Sequence, residues 1–231
     1  TGSEVSLYTS LGKDLIGDKC YRRLKDIGLN LKVAWQDKPT RRGISLINKK
    51  ADRAITVIGD RLQPTIKDDL EWDELSQYDG IYLTATDSKV LRRSRMSKVI
   101  VATPRLGIET IKQANIHIDA LIGSGLDPDE KYSIKELTPR PNICISTKGA
   151  RGGKAFPGGS YQSIRLKKSV IDTYGCGDSF AAGVTAGLAG GFDYKQAISL
   201  GANLGAECAL HYGPYPNDIA SINIDGAMVR R

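Results

Sequence analysis

The segment DTYGCGDSFAAG, residues 172–183, decides the fold of this chain. Two glycines, Gly175 and Gly177, bracket a small residue, and the acid Asp178 follows at once. Glycine adopts backbone angles closed to other residues, and successive N–H groups in such a turn converge on one point. The small and apolar residues that follow predict a helix from about Asp178, with its positive dipole end at the same place. The segment therefore predicts a turn that binds a phosphate-like anion.

The carboxylate of Asp178 is unexpected there, because it would repel a phosphate. It is explained if Asp178 faces a substrate hydroxyl as a proton acceptor, with the hydroxyl oxygen between it and the phosphorus, as phosphoryl transfer requires. The alternative interpretation is a simple turn whose acid stabilises a helix N-terminus by about 0.3–1 kcal/mol. On these residues alone, both interpretations stay open.

The amino-acid composition restricts the class of protein to which the chain can belong. The 231 residues are 40% hydrophobic, so they can bury a real core, and they carry a net charge of +7, which suits an anionic ligand such as a nucleotide. The basic residues are scattered in short groups, and only three Phe and two Trp are available to stack on bases. No apolar run approaches the ~18–20 residues of a membrane span. We expect a small-molecule substrate, no nucleic acid and no membrane.

Cysteine usage and the start of the chain add two expectations. Cys20, Cys144, Cys176 and Cys208 form no C-x-x-C pair, and there are only two histidines, so neither structural zinc nor a disulfide framework is expected. A reducing cytoplasm fits best. The chain has no initiator Met and runs almost at once into a strand-like segment, so we expect that N-terminal sequence is absent.

The pattern along the chain alternates strands with helices, which predicts an α/β fold with a mostly parallel sheet covered on both faces. Two alternating segments, RRGISLINK and RAITVIGDR, interrupt this order and predict a hairpin in a small separate sheet. The predicted strands are residues 4–12, 31–37, 79–86, 98–104, 118–124 and 142–149, and the predicted helices are residues 14–30, 87–97, 107–115, 179–191 and 193–213.

The segment DTYGCGDSFAAG closely resembles the C-terminal signature of the ribokinase-like, phosphofructokinase-B type family of carbohydrate kinases. That signature is Asp-Thr, then Gly-small-Gly-Asp, then a helix of small and apolar residues. Other stretches resemble the family in order and spacing from about Ser3 to Asn223. The stretch LGKDLIGDKCYRRLKDIGLN (11–30) resembles its Gly-x-Asp-x-x-Gly helix, and the hairpin (38–60) resembles its lid. STKGARGG (146–153) resembles its Thr-x-Gly-x-x-Gly segment, and ISLGANLGAECAL (198–210) resembles its adenine-flanking helix.

The resemblance implies a three-layer α/β/α sandwich with a mostly parallel central sheet and a small β lid, in a single domain over residues 1–231. The first strand and the Gly-Gly substrate segment of the family have no counterpart here. The implied activity is ATP-dependent phosphoryl transfer to a hydroxyl of a sugar, sugar derivative or nucleoside.

The resemblance also implies roles for single residues. Asp178 would be the general base, and the backbone N–H groups of Gly175, Cys176 and Gly177 would form the anion hole. The residues implied to contact the nucleotide are Thr147, Gly149, Gly152 and Asn203, and those implied to hold a monovalent cation such as K⁺ are Asp172 and Thr173.

One family motif is altered. The family's Asn-x-x-Glu, which helps to place Mg²⁺ and water, is replaced here by LIGSGLDPDEKY, residues 121–132. Ser124-x-x-Asp127 is the best-placed remnant and Glu130 is another candidate, so we expect Asp127 and Glu130 to act on Mg²⁺, at least through water. The other interpretation is a solvated polar loop. The altered motif and the missing substrate segment also leave open a nucleotide-binding regulatory protein of the same fold without catalysis.

The hairpin carries apolar side chains that have no partner in the predicted main sheet. They are Ile44, Leu46, Ile55 and Val57. Lids of this family often pair between two chains, and the alternative leaves an exposed apolar face. The resemblance therefore implies a homodimer formed through the lid.

Overall fold

The computed structural model describes residues 2–47 and 53–214. The predicted lid, residues 38–60, is therefore described except for 48–52, and the predicted domain, residues 1–231, extends past the described part of the chain. The chain forms two compact units, Ser3–Trp72 and a second that begins at Asp73. The assignment of a single domain stays a prediction.

The first unit contains a parallel β-α-β motif. Strand β1 (Ser6–Gly12) pairs in parallel with β2 (Asn30–Gln36), and helix α1 (Leu15–Asp26) connects them. Asp14 caps α1 by accepting a hydrogen bond from the backbone N–H of Gly17 at 2.7 Å. Gly28, two residues after the last residue of the helix, has φ 85°, a left-handed conformation typical of the glycine that follows a helix end.

The predicted hairpin is present in the first unit as a separate two-stranded sheet. Strand β3 (Arg42–Ile47) pairs antiparallel with β4 (Arg53–Ile58). Its apolar side chains lie open to solvent: the exposed fractions are 50% for Ile44, 66% for Leu46, 50% for Ile55 and 46% for Val57. The small β lid is therefore confirmed as a structural element, with an uncovered apolar surface.

The second unit is built on a six-stranded sheet in the order β10-β9-β8-β7-β6-β5. Its four parallel strands are β5 (Gly80–Leu83), β6 (Val99–Ala102), β7 (Ala120–Ser124) and β8 (Ile143–Thr147). The hairpin of β9 (Gly153–Phe156) and β10 (Gly159–Tyr161) extends the sheet antiparallel. The sequence pattern missed this hairpin, because its strands are short and rich in glycine. The mostly parallel sheet is confirmed.

Helices cover both faces of this sheet. On one face α2 (Ser88–Ser94) and α3 (Ile108–Ala114) pack on residues such as Ile100 and Leu121. On the other face, α4 (Cys176–Ala189) and α5 (Tyr194–Cys208) pack on Val101 and Ile122, which directly follow Ile100 and Leu121 in the sequence. Because successive side chains of a strand point to opposite faces, these strands are buried on both sides. The second unit is a three-layer α/β/α arrangement, as predicted.

Short 3₁₀ turns complete the second unit and the junction with the first. They are Trp72–Gln77, Pro104–Leu106, Pro128–Glu130, Ile134–Glu136 and Gly149–Arg151. Two of them, Pro104–Leu106 and Pro128–Glu130, directly follow parallel strands and carry polar residues of the candidate site.

Helices α4 and α5 approach each other closely along a seam of small residues. A Cβ atom added to Gly183 would lie 2.7 Å from the Cα atom of Gly201, and one added to Gly201 would lie 2.6 Å from the carbonyl oxygen of Phe180. Any side chain at these positions would push the helices apart. The Gly- and Ala-rich composition of α4 therefore serves close backbone packing. Among the described residues, no helix has the length and apolar character needed to span a bilayer.

Candidate active site

The candidate site lies at the carboxyl edge of the parallel strands, where open α/β sheets bind their ligands. Strand β6 ends just before Arg105, and β7 ends at Ser124, which pairs in register with Thr147 at the end of β8. Helix α4 brings its N-terminal turn to the same edge, since the hydroxyl of Tyr82 near the end of β5 hydrogen-bonds to Asp178. Residues 172–183 thus meet the loops of the sheet here.

The turn before α4 has the backbone conformation that its glycines predict. Gly175 has φ 87° and ψ −6°, a left-handed conformation, and serves as the N-cap of α4. The helix begins at Cys176, two residues before the predicted start at Asp178. The first turn of the helix therefore contains Cys176, Gly177 and Asp178. Backbone N–H groups in this turn have no hydrogen-bond acceptor within the helix. This places the positive end of the helix dipole at the predicted anion hole.

The three predicted N–H donors of the anion hole are not equivalent. The N–H of Cys176 donates to the carbonyl oxygen of Thr173 at 3.4 Å, so it is directed back along the chain. Gly177 lies one position further into the first turn. The assignment of Gly175, Cys176 and Gly177 to an anion hole stays a prediction.

Asp178 sits among three polar side chains from different strand ends. The Tyr82 hydroxyl donates a hydrogen bond to its carboxylate, while Arg105 and Glu130 act on it through their charges. Although Asp178 is an exposed residue at the helix end, desolvation by the surrounding protein raises the pKa of its carboxyl above the ordinary value. The negative charge of Glu130 raises it further, whereas Arg105 and Tyr82 lower it. A carboxylate with a raised pKa is a better proton acceptor.

Arg105 joins the two acids that the sequence assigned to magnesium. Its Nε donates to Oε1 of Glu130 at 2.6 Å, and its Nη2 donates to Oδ2 of Asp127 at 2.9 Å. Glu130 is buried, with 7% of its surface exposed, and its Oε2 accepts the N–H of Ser124 at 2.7 Å. The segment around Glu130 is therefore held in place by an ion-pair network, which differs from the solvated polar loop that was the other interpretation.

This network limits how Mg²⁺ fits. Both carboxylate oxygens of Glu130 already accept hydrogen bonds, and a cation between Glu130 and Asp127 would meet the guanidinium of Arg105. Among residues 2–47 and 53–214, no group of three or more His, Cys, Asp or Glu side chains is arranged to hold a metal ion. Direct coordination by Glu130 does not fit this arrangement. An ion bound mainly by substrate phosphates and water, with Asp127 as an outer contact, does fit.

The residues assigned to a monovalent cation have structural contacts. Asp172 is 5% exposed, and its two carboxylate oxygens accept the N–H groups of Tyr174 at 2.9 Å and Gly213 at 3.0 Å. The carbonyl of Thr173 accepts from Cys176. These hydrogen bonds satisfy the buried carboxylate of Asp172, and they fix the turn before α4. A cation held by Asp172 and Thr173 stays a prediction.

The segment assigned to the nucleotide phosphates forms a tight glycine turn after β8. Gly149 and Gly152 have positive φ of 55° and 74°, and the N–H of Gly152 donates to the carbonyl of Gly149 at 3.0 Å. The hydroxyl of Thr147 is 3.4 Å from the carbonyl oxygen of Gly123 on β7. Asn203 lies on α5, where its amide donates to the carbonyl of Ser199 at 2.8 Å. The nucleotide contacts of these residues stay predictions.

Sequence reasoning missed two residues of the site, Tyr82 and Arg105. Each lies at or just after the carboxyl end of a parallel strand, β5 for Tyr82 and β6 for Arg105. That position is the signal that could have found them, because the ends of neighbouring parallel strands meet at one edge. The hydrogen bond of Tyr82 and the charge of Arg105 act on Asp178 because α4 begins at this edge, and no local pattern shows that.

The chain resembles known kinases in sequence and in fold. The family model of pfkB family carbohydrate kinases matches residues 118–220. The predicted resemblance to this ribokinase-like family is confirmed. The chain also resembles fructoselysine 6-kinase of Escherichia coli (strain K12), with 31% identity over 103 residues. This match covers 43% of the present chain and 40% of the relative, so it spans two fifths of that curated protein.

Solved structures show the fold over nearly the whole chain. Adenosine kinase from Sinorhizobium meliloti superposes with a TM-score of 0.72 at 16% identity, covering 94% of this chain and 76% of that one. A microbiome-derived acarbose kinase superposes with a TM-score of 0.73 at 17% identity, covering 95% of this chain and 80% of that one. Ribokinase from Thermotoga maritima superposes with a TM-score of 0.68 at 16% identity, covering 90% of this chain and 76% of that one. The predicted ribokinase-like fold is confirmed.

Proposed function

We propose that this chain is an ATP-dependent kinase that transfers a phosphoryl group to a hydroxyl of a sugar, sugar derivative or nucleoside. The observation that carries the proposal is the Asp178 carboxylate at the N-terminal turn of α4, next to the left-handed Gly175. Phosphoryl transfer needs a proton acceptor beside donors for the developing negative charge, and this turn supplies both. The kinases among the matched proteins support the same acceptor classes.

In this proposal Asp178 accepts the proton of the acceptor hydroxyl as the oxygen attacks the phosphorus. Tyr82 holds the carboxylate through its hydrogen bond, so that the proton acceptor keeps one orientation. The N–H groups at the start of α4 stabilise the charge on the transferred group. Thr147, Gly149 and Gly152 line the path of the ATP phosphates, and Asn203 lies beside the adenine.

Magnesium would enter with ATP and neutralise its phosphate oxygens, with Asp127 as a contact through water. Arg105 keeps Asp127 and Glu130 from repelling the nucleotide, because its positive charge lies between the two acids. We also propose a homodimer in which the exposed apolar surface of the lid is covered by a second chain. The described cysteines are all reduced, and we propose a cytoplasmic location on that basis.

The test is the Asp178→Asn variant with a panel of sugars, sugar derivatives and nucleosides. The variant keeps size and polarity but cannot accept the proton, so we expect turnover to fall by about 10²–10⁴-fold while ATP still binds. ADP release measures turnover, and calorimetric titration with ATP measures binding. The control is Asp129→Asn, which changes an acid near Asp127 that has no assigned role, and it should leave turnover unchanged.

Two outcomes would contradict the proposal. Near-normal turnover of Asp178→Asn would remove Asp178 as the base. No ADP release from the unchanged chain on any acceptor, with ATP binding intact, would favour a nucleotide-binding regulatory protein of the same fold.

A further inference from the structure

Two cysteines meet at the turn that begins α4. Cys176 is the first residue of α4 and Cys208 is the last residue of α5. Their side chains form a hydrogen bond with each other. The proposed chemistry uses at most the backbone N–H of Cys176, so neither thiol has a role in phosphoryl transfer. The pair is therefore a chemical feature of the site that the reaction does not explain.

Backbone packing brings the two thiols together. A Cβ atom added to Gly175 would lie 3.5 Å from Sγ of Cys208, and one added to Gly205 would lie 3.0 Å from the carbonyl oxygen of Cys176. The last turn of α5, from Gly205 to Cys208, thus lies directly against residues 175 and 176. The glycine seam between α4 and α5 permits this approach and brings the Sγ of Cys208 against the turn that leads into Cys176, while neither cysteine is in a disulfide.

The two cysteines differ in exposure. Cys208 is 4% exposed, and its Sγ lies 3.4 Å from the carbonyl oxygen of Tyr174. Cys176 is half-buried. The hydrogen bond from Cys176 lowers the pKa of the Cys208 thiol, and Ser179 and His211 also lower it, while burial opposes them. A small oxidant therefore reaches Cys176 more easily, and Cys208 is the better nucleophile for a second step.

We propose that Cys176 and Cys208 are a site of reversible oxidation by peroxide, and that the resulting disulfide switches off the turn at the start of α4. In the first step the Cys176 sulfur attacks one peroxide oxygen, the O–O bond breaks, and a sulfenic acid and water form. In the second step the Cys208 sulfur attacks the Cys176 sulfur, the S–O bond breaks, and the second water leaves with the Cys208 proton. Two thiols are oxidised by two electrons and the peroxide is reduced.

The disulfide would alter the site through geometry. A disulfide bond is about 2.05 Å long and needs a restricted arrangement of the two Cα atoms, whereas hydrogen-bonded sulfurs lie farther apart. Closing that gap must move Cys176, the middle residue of the proposed anion hole, toward α5. Because a displacement of about 1 Å in a catalytic group costs on the order of 10²-fold in rate, the oxidised form should be inactive or nearly so. This effect on turnover rests on the proposed function, whereas the oxidation itself does not.

The experiment treats the reduced protein with hydrogen peroxide and follows it by mass spectrometry and by ADP release. We expect a peptide that links Cys176 to Cys208, the loss of the mass of two hydrogen atoms, a fall in turnover of on the order of 10²-fold, and recovery with dithiothreitol. The variant Cys208→Ser should keep its turnover under the same treatment. The control is Cys20→Ser, which removes a half-buried cysteine of α1 and should stay sensitive to peroxide.

The outcomes separate this inference from the proposed function. Peroxide that oxidises Cys20 without linking Cys176 to Cys208 would overturn the inference, and so would a linked protein with unchanged turnover. If the reduced protein transfers no phosphate to any acceptor, the proposed kinase activity fails. In that case the linked peptide and its effect on ATP binding, measured by titration, still decide whether the pair is an oxidation site that alters the turn.

Discussion

The left-handed Gly175 should tolerate a side chain poorly, and Gly175→Ala tests this. Its φ of 87° costs a residue with a side chain roughly 1–2 kcal/mol. A Cβ atom there would also lie 2.7 Å from Cβ and 2.8 Å from Cα of Pro214, an overlap worth about 1–3 kcal/mol if the neighbours stay in place. The combined cost of about 2–5 kcal/mol is a large part of the 5–15 kcal/mol that stabilises a typical domain.

The matched control is Gly177→Ala, two residues further along. Gly177 lies inside the first turn of α4, where an added Cβ atom would have no atom within 4 Å apart from its chain neighbours and the backbone of its own helix. Alanine favours the helical conformation by up to about 1 kcal/mol over glycine, so this variant should be as stable as the unchanged chain or more so. The comparison thus isolates the backbone conformation of Gly175 from the simple addition of a methyl group.

Thermal unfolding followed by circular dichroism measures the difference. For a chain of this size, each kcal/mol corresponds to about 2–4 °C in Tm, so Gly175→Ala should lower Tm by roughly 4–20 °C. If the turn relaxes instead, Tm falls less and turnover falls with it, because the N–H groups at the start of α4 move. A Gly175→Ala protein with the Tm of Gly177→Ala and normal turnover would refute the reasoning.

Three further predictions concern the base, the helix seam and the lid. Tyr82→Phe removes a hydrogen bond that lowers the pKa of Asp178, so that pKa should rise. Because the base acts when ionised, the acid limb of the pH–rate profile should move to higher pH; an unmoved limb would separate Tyr82 from the base. Gly183→Ala would place a Cβ atom 2.7 Å from the Cα of Gly201, so unfolding should show a loss of about 1–3 kcal/mol, and equal stability would contradict the close packing. Leu46→Lys places a charge on a lid position that is 66% exposed, and light scattering should then show monomers; an unchanged mass would count against a lid-mediated dimer.

Local patterns predicted most elements of the fold correctly. Apolar residues at helical or alternating spacing placed the helices and the parallel strands, because side chains in a helix or strand share a face at a fixed period. The predicted start of one helix was wrong: α4 begins at Cys176 and not at Asp178, since Gly175 and not the acid serves as its N-cap. The β9–β10 hairpin escaped notice, because strands of four and three residues carry too few positions to show a period.

The sequence by itself determined that a glycine turn with an acid precedes a helix of small residues, and that parallel strands lead to it. Tertiary structure alone decided which groups meet there: Tyr82 on Asp178, Arg105 between Asp127 and Glu130, and Cys208 against Cys176. The physical reason is separation along the chain. A backbone conformation or a periodic face is set by residues a few positions apart, whereas these contacts depend on strand order and on how closely α4 and α5 pack.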